Sequence, residues 1–360
     1  MGHRVVVFAG AGASYGVAPQ RYPMTRQFFE QLPEGIRSNV LFGYLTAFLE
    51  QRSGKQTLDI EDVLWVLGDL ISAIKNATEP GSILQHLLIK NRVHAVTTMK
   101  PSGPEVVTQL TDLRNKATTL RDTIHDEVYR YYAAKPDKSE LERSWIPLLK
   151  WLRGLNPEVI DIVTTNYDLV IESALAEVGD IPVDTGKRAT VDVSLDLSLW
   201  DRGRPPNSGL LTKLHGSVDW RYAAGNGNPV TIRWGHPEHD GMHETRGIIY
   251  PGFKGVPEKE PFKSFHDYFG SVSERATHLI FIGFAFRDEY INALLQRAPS
   301  PTARVAVIDP SESLASLPFL SVANHIRLPF GAADPVTLLG EGANTPKWIN
   351  ALELWMSQTQ

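Results

Sequence analysis

The 360-residue chain contains no cysteine. That absence excludes disulfides, thiolate zinc sites and cysteine nucleophiles together, and it favours a reducing, cytoplasmic setting. An excess of one charge is also missing. The 36 Lys and Arg against 41 Asp and Glu leave a formal net charge of -5, with both signs spread along the chain. No basic stripe of the kind that tracks a phosphate backbone is present, so no direct nucleic-acid binding is expected. Long apolar runs are lacking as well. The longest near the start, Val5 to Ala9, is far shorter than a signal-peptide core, and no window approaches the roughly 20 apolar residues of a membrane span. Val6 stands where a myristoylation signal wants Ser or Thr, so neither a membrane span nor a lipid anchor is expected.

What is present is a sizeable apolar fraction, 42% of residues, enough for one large domain or two smaller ones. Short β-branched runs recur at Arg4 to Ala9, Val159 to Thr164, Leu210 to Leu214, Gly247 to Tyr250, His278 to Gly283 and Arg304 to Ile308, several followed by helical patterns. This alternation predicts an α/β fold: a Rossmann-like parallel sheet with helices on both faces. Residues 25–154 carry almost no strand signal. In "DIEDVLWVLGDLISAIKNA", Ile60, Val63, Leu64, Leu67, Leu70, Ile71 and Ile74 repeat at helical spacing, with Asp59 and Glu61 near the N-terminus. The expectation is therefore a large helical insertion after the first strand: a lobe of residues 25–154 set into a sheet domain of residues 1–24 and 155–360, able to fold over whatever the first turn holds. A final helix, Lys347 to Met356, carries Trp348, Ile349, Leu352 and Trp355 on one side for docking onto the core.

Four strand ends carry chemistry. The first strand breaks into "GAGAS", residues 10–14, where glycines remove side chains and helix-start amides can face an anion. The turn lacks the full G-x-G-x-x-G spacing, and alone it fits a structural turn equally well. The strand ending at Thr164 runs into "TTNYD", in which Asn166 or Asp168 alone reads as a helix cap. "LHGS", residues 214–217, puts His215 at a strand end, and "IGFAFRDEYI", residues 282–291, is another strand, glycine turn and helix. In a parallel sheet all four carboxyl ends converge on one crevice. The run "WGHPEHDGMHET" offers His236, His239 and His243, but its Gly and Pro argue against the helix needed to align them on a metal.

GAGAS, TTNYD, LHGS and a late strand–glycine pair, in this order, resemble the motifs of the sirtuin superfamily over the Rossmann-type portion of the chain. More narrowly the chain resembles the zinc-free sirtuin-like domains of prokaryotic antiphage defence systems, which act as NAD glycohydrolases and in which the "DIEDVL" helix and the "IGFAFRDEYI" segment are typical. The resemblance implies NAD+ as substrate and no zinc. Gly10, Ala11, Gly12, Ala13 and Ser14 would lie along the diphosphate, with Gly283 and Phe284 in the late turn completing the site. Asn166 would touch the nicotinamide ribose beside Thr165, Asp168 would help seat the carboxamide, His215 would be the catalytic base, and Asp309 would approach the adenosine. Two departures from deacetylases stand out: Thr165 replaces their Gln, and "APQRYPMT" replaces their Pro-Asp-Phe-Arg loop, leaving Arg21 without a role. The resemblance further implies an abortive-infection effector held in check as a homo-oligomer, or by a separate activating partner such as a DNA-translocase-type ATPase or an Argonaute-like protein. The alternatives are an NAD-dependent deacetylase or ADP-ribosyltransferase, for which no cysteine-held zinc ribbon can form, and a non-catalytic module sensing NAD or ADP-ribose.

Overall fold

In the computed structural model, residues 3–53, 58–78, 103–189, 193–201, 208–222, 232–234, 245–249, 260–297, 302–310, 323–327, 330 and 347–357 are described. The first apolar run is β1 (Arg4–Ala9), followed at once by α1 (Ala11–Val17). Every described element from there to Gly154 is helical: α2 (Thr25–Glu30), α3 (Glu34–Arg37), α4 (Val40–Ser53), α5 (Ile60–Thr78), α6 (Gly103–Tyr132), α7 (Lys138–Glu142) and α8 (Trp145–Gly154). Then follow β2 (Val159–Thr164), α9 (Val170–Val178), β3 (Val183–Asp184), β4 (Lys187–Ala189), β5 (Val193–Leu195), α10 (Ser198–Asp201), β6 (Gly209–Lys213), β7 (Gly216–Tyr222), β8 (Ile232–Trp234) and β9 (Thr245–Ile248). The chain continues through α11 (Phe262–Arg275), β10 (His278–Ile282), α12 (Glu289–Arg297), β11 (Arg304–Ile308), β12 (Asn324–Ile326) and α13 (Lys347–Ser357). None of the described helices is long and apolar enough to cross a membrane.

Seven strands form one parallel sheet in the order β12-β11-β10-β1-β2-β6-β3. The chain leaves β1 toward β2 and β6, then returns to the other side of β1 for β10 and β11, so the connections run opposite ways at the β1/β10 pair. Such a reversal opens a crevice at the carboxyl ends, where α/β sheets bind ligands. The register aligns those ends: Ile308 pairs with Ile282, Ile282 with Ala9, Ala9 with Thr164 and Thr164 with Lys213. Both faces are covered, as buried parallel strands require. On one, Val6, Phe8, Leu279 and Phe281 pack with Phe265, Phe269 and Val272 of α11 and Ile291 and Leu295 of α12. Val5, Val7, Ala9, Ile280 and Ile282, alternating with these, are equally buried. The stripe Trp348, Ile349, Leu352 and Trp355 of α13 is buried too.

The segment around Gly247 departs from expectation. It forms β9, which pairs antiparallel with β7 in a second sheet of order β4-β5-β8-β7-β9. Gly216, at φ 84°, turns the chain directly from the end of β6 into β7. A parallel return needs a long crossover, whereas short strands joined closely pair antiparallel.

The chain divides into two compact units. One comprises the described residues of 1–24, 131–249 and 253–360 and holds both sheets; the other spans Thr25–Arg130 and is helical. In the helical unit, Asp59 Oδ1 accepts from the amides of Glu61 and Asp62 and so caps α5. Ile60, Val63, Leu64, Leu67 and Ile74 form its buried stripe.

Candidate functional site at the carboxyl edge of the sheet

The turn after β1 is shaped by a neighbour. Gly10 N–H donates to Ile282 O and Gly12 N–H to Gly283 O, both at 2.9 Å, while Ala13 N–H returns to Gly10 O. A Cβ on Gly10 would lie 2.6 Å from Gly283 O, and one on Gly12 2.8 Å from Gly283 Cα. Gly283 itself has φ 55°, and its own Cβ would meet Ala13 N at 2.4 Å. These glycines thus let the loops following β1 and β10 touch backbone to backbone. Ala13 is buried and Ala11 is exposed.

Ser14, Asn166 and Asp168 form one network. Asn166 is buried, and its Nδ2 donates to Gly10 O and to Ser14 Oγ, each at 2.8 Å. Both amide hydrogens are therefore committed within the protein, leaving Oδ1 as the group that can act on a ligand, and only as an acceptor. Ser14 in turn hydrogen-bonds the Asp168 carboxylate, whose Oδ1 also accepts from Val170 N–H at the start of α9. The loop is pinned from below: Thr164 Oγ1 donates to Ala9 O and accepts from Asn166 N–H, and half-buried Thr165 donates its amide to Ala9 O. Burial pushes the Asp168 carboxyl up, opposed by the Lys213 ammonium and by the bonds from Ser14 and Val170. Burial also pushes Tyr22 up, with the Asp168 charge adding to it.

Lys213, absent from the sequence-based expectations, is one of the most deeply buried side chains. Its Nζ donates to Asp168 O, to Glu172 Oε1 at 2.8 Å and to Ser217 Oγ at 3.0 Å, so three donors meet three acceptors. The only signal available was a lysine inside an otherwise apolar strand end.

His215 lies two residues beyond Lys213, as Asn166 lies two beyond Thr164, its register partner. The strand ends thus bring amide and imidazole to the same edge. His215 is buried, and its Nε2 is 3.5 Å from Asp288 Oδ2 in the loop after β10. Behind it, the His266 ring stacks at 6.5 Å. Burial drives His266 down to about 4, so this ring is neutral at ordinary pH. Asp288 and His266 were not anticipated, although Asp288 sits within the quoted "IGFAFRDEYI".

The remaining expected residues are more peripheral. The Phe284 ring is buried against Phe8 and Phe286 in the core. Asp309, half-buried at the end of β11, gives its amide to Ile326 O, while its carbonyl faces His325 Nε2 at 3.1 Å. Arg21 gains a role: it reaches Asp137 at 2.7 Å and Glu140 at 3.5 Å, the two residues of the capping box that begins α7. Among the described residues no group of three or more His, Asp or Glu could hold a metal ion. His236, His239 and His243 lie outside the described residues.

A Rossmann-like sheet with polar side chains gathered along its carboxyl edge defines the class of structure. Comparison with known proteins narrows it: residues 161–318 match the model of the SIR2-like domain, a span that includes Asn166, His215, Gly283 and Asp288 but not the first turn. No curated protein matches the chain. Among solved structures, the chain is similar to that of Sir2Tm bound to a propionylated peptide, with 12% identity over 92% of this chain and 90% of that one and a TM-score of 0.38. It is also similar to a Sir2–p53 peptide–NAD+ complex, with 13% identity over 91% and 89% and a TM-score of 0.36.

Proposed function

We propose that the protein is an NAD+ glycohydrolase that cleaves NAD+ to nicotinamide and ADP-ribose. The observation that carries this reading is the placement, on the neighbouring carboxyl ends of β2 and β6, of an amide whose two hydrogens are internally committed and an imidazole two residues past its strand end. The match of residues 161–318 to the SIR2-like domain supports it. Breaking the bond between ribose C1′ and nicotinamide sends the bonding electron pair to the ring, which leaves neutral, and builds positive charge on the sugar. The leaving group is already cationic and needs no proton, so the scarcity of paired carboxylates at these strand ends does not weigh against the reaction. Asn166 Oδ1 would accept a hydrogen bond from a ribose hydroxyl or the attacking water. As the water oxygen bonds to C1′, its proton would pass to His215, a contribution of about 10²–10⁴-fold for a positioned base. Gly10 to Ser14, Thr165, Asp168, Gly283, Phe284 and Asp309 would frame the dinucleotide.

The resemblance to defence-system domains extends the proposal to an abortive-infection effector in the cytoplasm. An enzyme that destroys NAD+ endangers its own cell, so restraint by homo-oligomerisation or by a separate activating partner belongs to the same reading. The test supplies NAD+ alone, and NAD+ with an acetyl-lysine peptide, to the purified protein and to its Asn166→Ala and His215→Ala variants. Release of nicotinamide and ADP-ribose from NAD+ alone, lost in both variants, is the expected result. Release only with the peptide would make the protein a deacetylase, and calorimetry showing neither binding nor turnover of NAD+ would overturn the proposal.

A further inference from the structure

We infer that Asp288 is the positioning residue for His215, fixing its imidazole with Nε2 as the donor and leaving Nδ1 as the atom that takes the proton. The inference rests on the hydrolase reading for its catalytic meaning, but its geometry stands apart from it. Asp288 Oδ2 lies 3.5 Å from His215 Nε2. An ionised carboxylate only accepts hydrogen bonds, so in the neutral ring that acts as a base the nitrogen facing it carries the hydrogen and the other nitrogen keeps its lone pair. Although burial alone would raise the Asp288 carboxyl, His215, the Ile291 amide and His266 together hold it below the usual carboxylate range.

The carboxylate is not free to wander. Its Oδ1 accepts from Ile291 N–H at 2.9 Å, capping α12. The loop before it is tied by Asn292 Nδ2, which donates to Phe286 O at 2.7 Å. Phe286 itself is buried in the left-handed region at φ 52°, a conformation kept only where its surroundings enforce it. Stacked against His215, His266 of α11 is locked by its Nδ1 contact with Phe262 O at 2.8 Å and by the Tyr290 ring at 5.3 Å. Among the described residues, the charged and titratable groups seen against the imidazole are Asp288, His266 and, behind His266, Tyr290. Only Asp288 is charged at neutral pH. When water attacks C1′, the proton that leaves it reaches Nδ1, and the positive charge gained by the ring is shared with the Asp288 carboxylate.

The experiment follows the ring directly. In protein labelled with 15N-histidine, with His215 assigned through His215→Gln, long-range 1H–15N spectra report which ring nitrogen bears hydrogen. The wild type is expected to show Nε2–H. Asp288→Asn keeps an oxygen for the Ile291 amide but offers the ring an amide, and it is expected to move population to the Nδ1–H form. Nicotinamide release should then fall in kcat by at least about tenfold, with KM changed by less than about twofold, and Asp288→Glu should recover part of the rate. An Nδ1–H ring in the wild type, or an unchanged ring pattern and kcat in Asp288→Asn, would overturn the inference. A wild type that shows Nε2–H yet never releases nicotinamide supports the positioning and refutes the hydrolase instead.

Discussion

Replacing Asn166 by Asp changes shape least and hydrogen bonding most. The amide nitrogen that donates at 2.8 Å to both Gly10 O and Ser14 Oγ becomes an oxygen with nothing to donate. Gly10 O then faces another acceptor, and the single Ser14 hydroxyl hydrogen is contested by the new carboxylate and by Asp168, which it already serves. Two hydrogen bonds at about 1 kcal/mol net each are lost, and at least one buried acceptor is left short at about 1–3 kcal/mol. The expected cost is about 3–5 kcal/mol at neutral pH, read as the difference in unfolding free energy from urea titrations.

The pH dependence of that cost has a definite sign. A carboxyl pressed against acceptors titrates higher in the folded than in the unfolded chain, so the penalty is smallest at low pH, where its one O–H can still serve one acceptor, and grows as pH rises above the unfolded value of about 3.9. Nicotinamide release should drop by about 10²-fold or more, because Oδ1 no longer has a fixed direction. A cycle combining Ser14→Ala with Asn166→Ala should return a coupling of about 1 kcal/mol. An Asn166→Asp protein within about 0.5 kcal/mol of wild type at pH 7, with undiminished turnover, would refute the assignment of the two amide hydrogens.

Gly283→Ala should destabilise by about 1–3 kcal/mol, since the new Cβ meets Ala13 N and Gly12 C at 2.4 Å in a left-handed residue; unchanged thermal unfolding would show that the two loops do not touch as described. Lys213→Met removes the cation from between Glu172 and the Asp168 carbonyl and should cost about 3–5 kcal/mol in urea unfolding, whereas a more stable variant would mean the carboxylates do not depend on it. His266 falls from 6.5 to about 4 on folding, so the unfolded chain binds more protons between those values. Its contribution is complete above pH 6.5 and is lost as pH falls toward 4, by about 3 kcal/mol. His266→Asn, which keeps a donor for Phe262 O, should flatten that acid limb of stability, and an unaltered limb would contradict the buried neutral ring.

Local pattern was enough for β1, β2, β6, β10 and β11, which are buried on both faces, but not for the short edge strands β3 and β12, which are only partly buried. The run "RVVVFA" is apolar from Val5 up to Gly10 and "VIDIVT" is broken only by the buried Asp161, so the limits of β1, β2 and β11 coincide with the runs themselves. The second sheet escaped notice because β4, β5 and β8 have only three residues each, too few to show a period, and because what directs β7 and β9 is a backbone turn at Gly216. At the site, Asn166 and His215 were legible as polar residues just past apolar strands. Asp288, Lys213 and His266 were not, because their meaning is a distance to a residue far away in the chain.

The opening glycines show why a motif can be located without being understood. A glycine after a buried strand says that something approaches the backbone closely, but sequence does not say what. Here Gly12 N–H is taken by Gly283 O, and the space over Gly10 belongs to Gly283 and Phe284. The two loops hold each other. Seating a dinucleotide would then rest less on an open ring of amides than on a rigid rim, from which Gly10 O also fixes the Asn166 amide. On the proposed function the glycines would act on the chemistry through the amide they orient: loosening the β1 and β10 loops would be felt at Asn166 Oδ1, and so at the sugar it is proposed to hold, before it was felt at any phosphate.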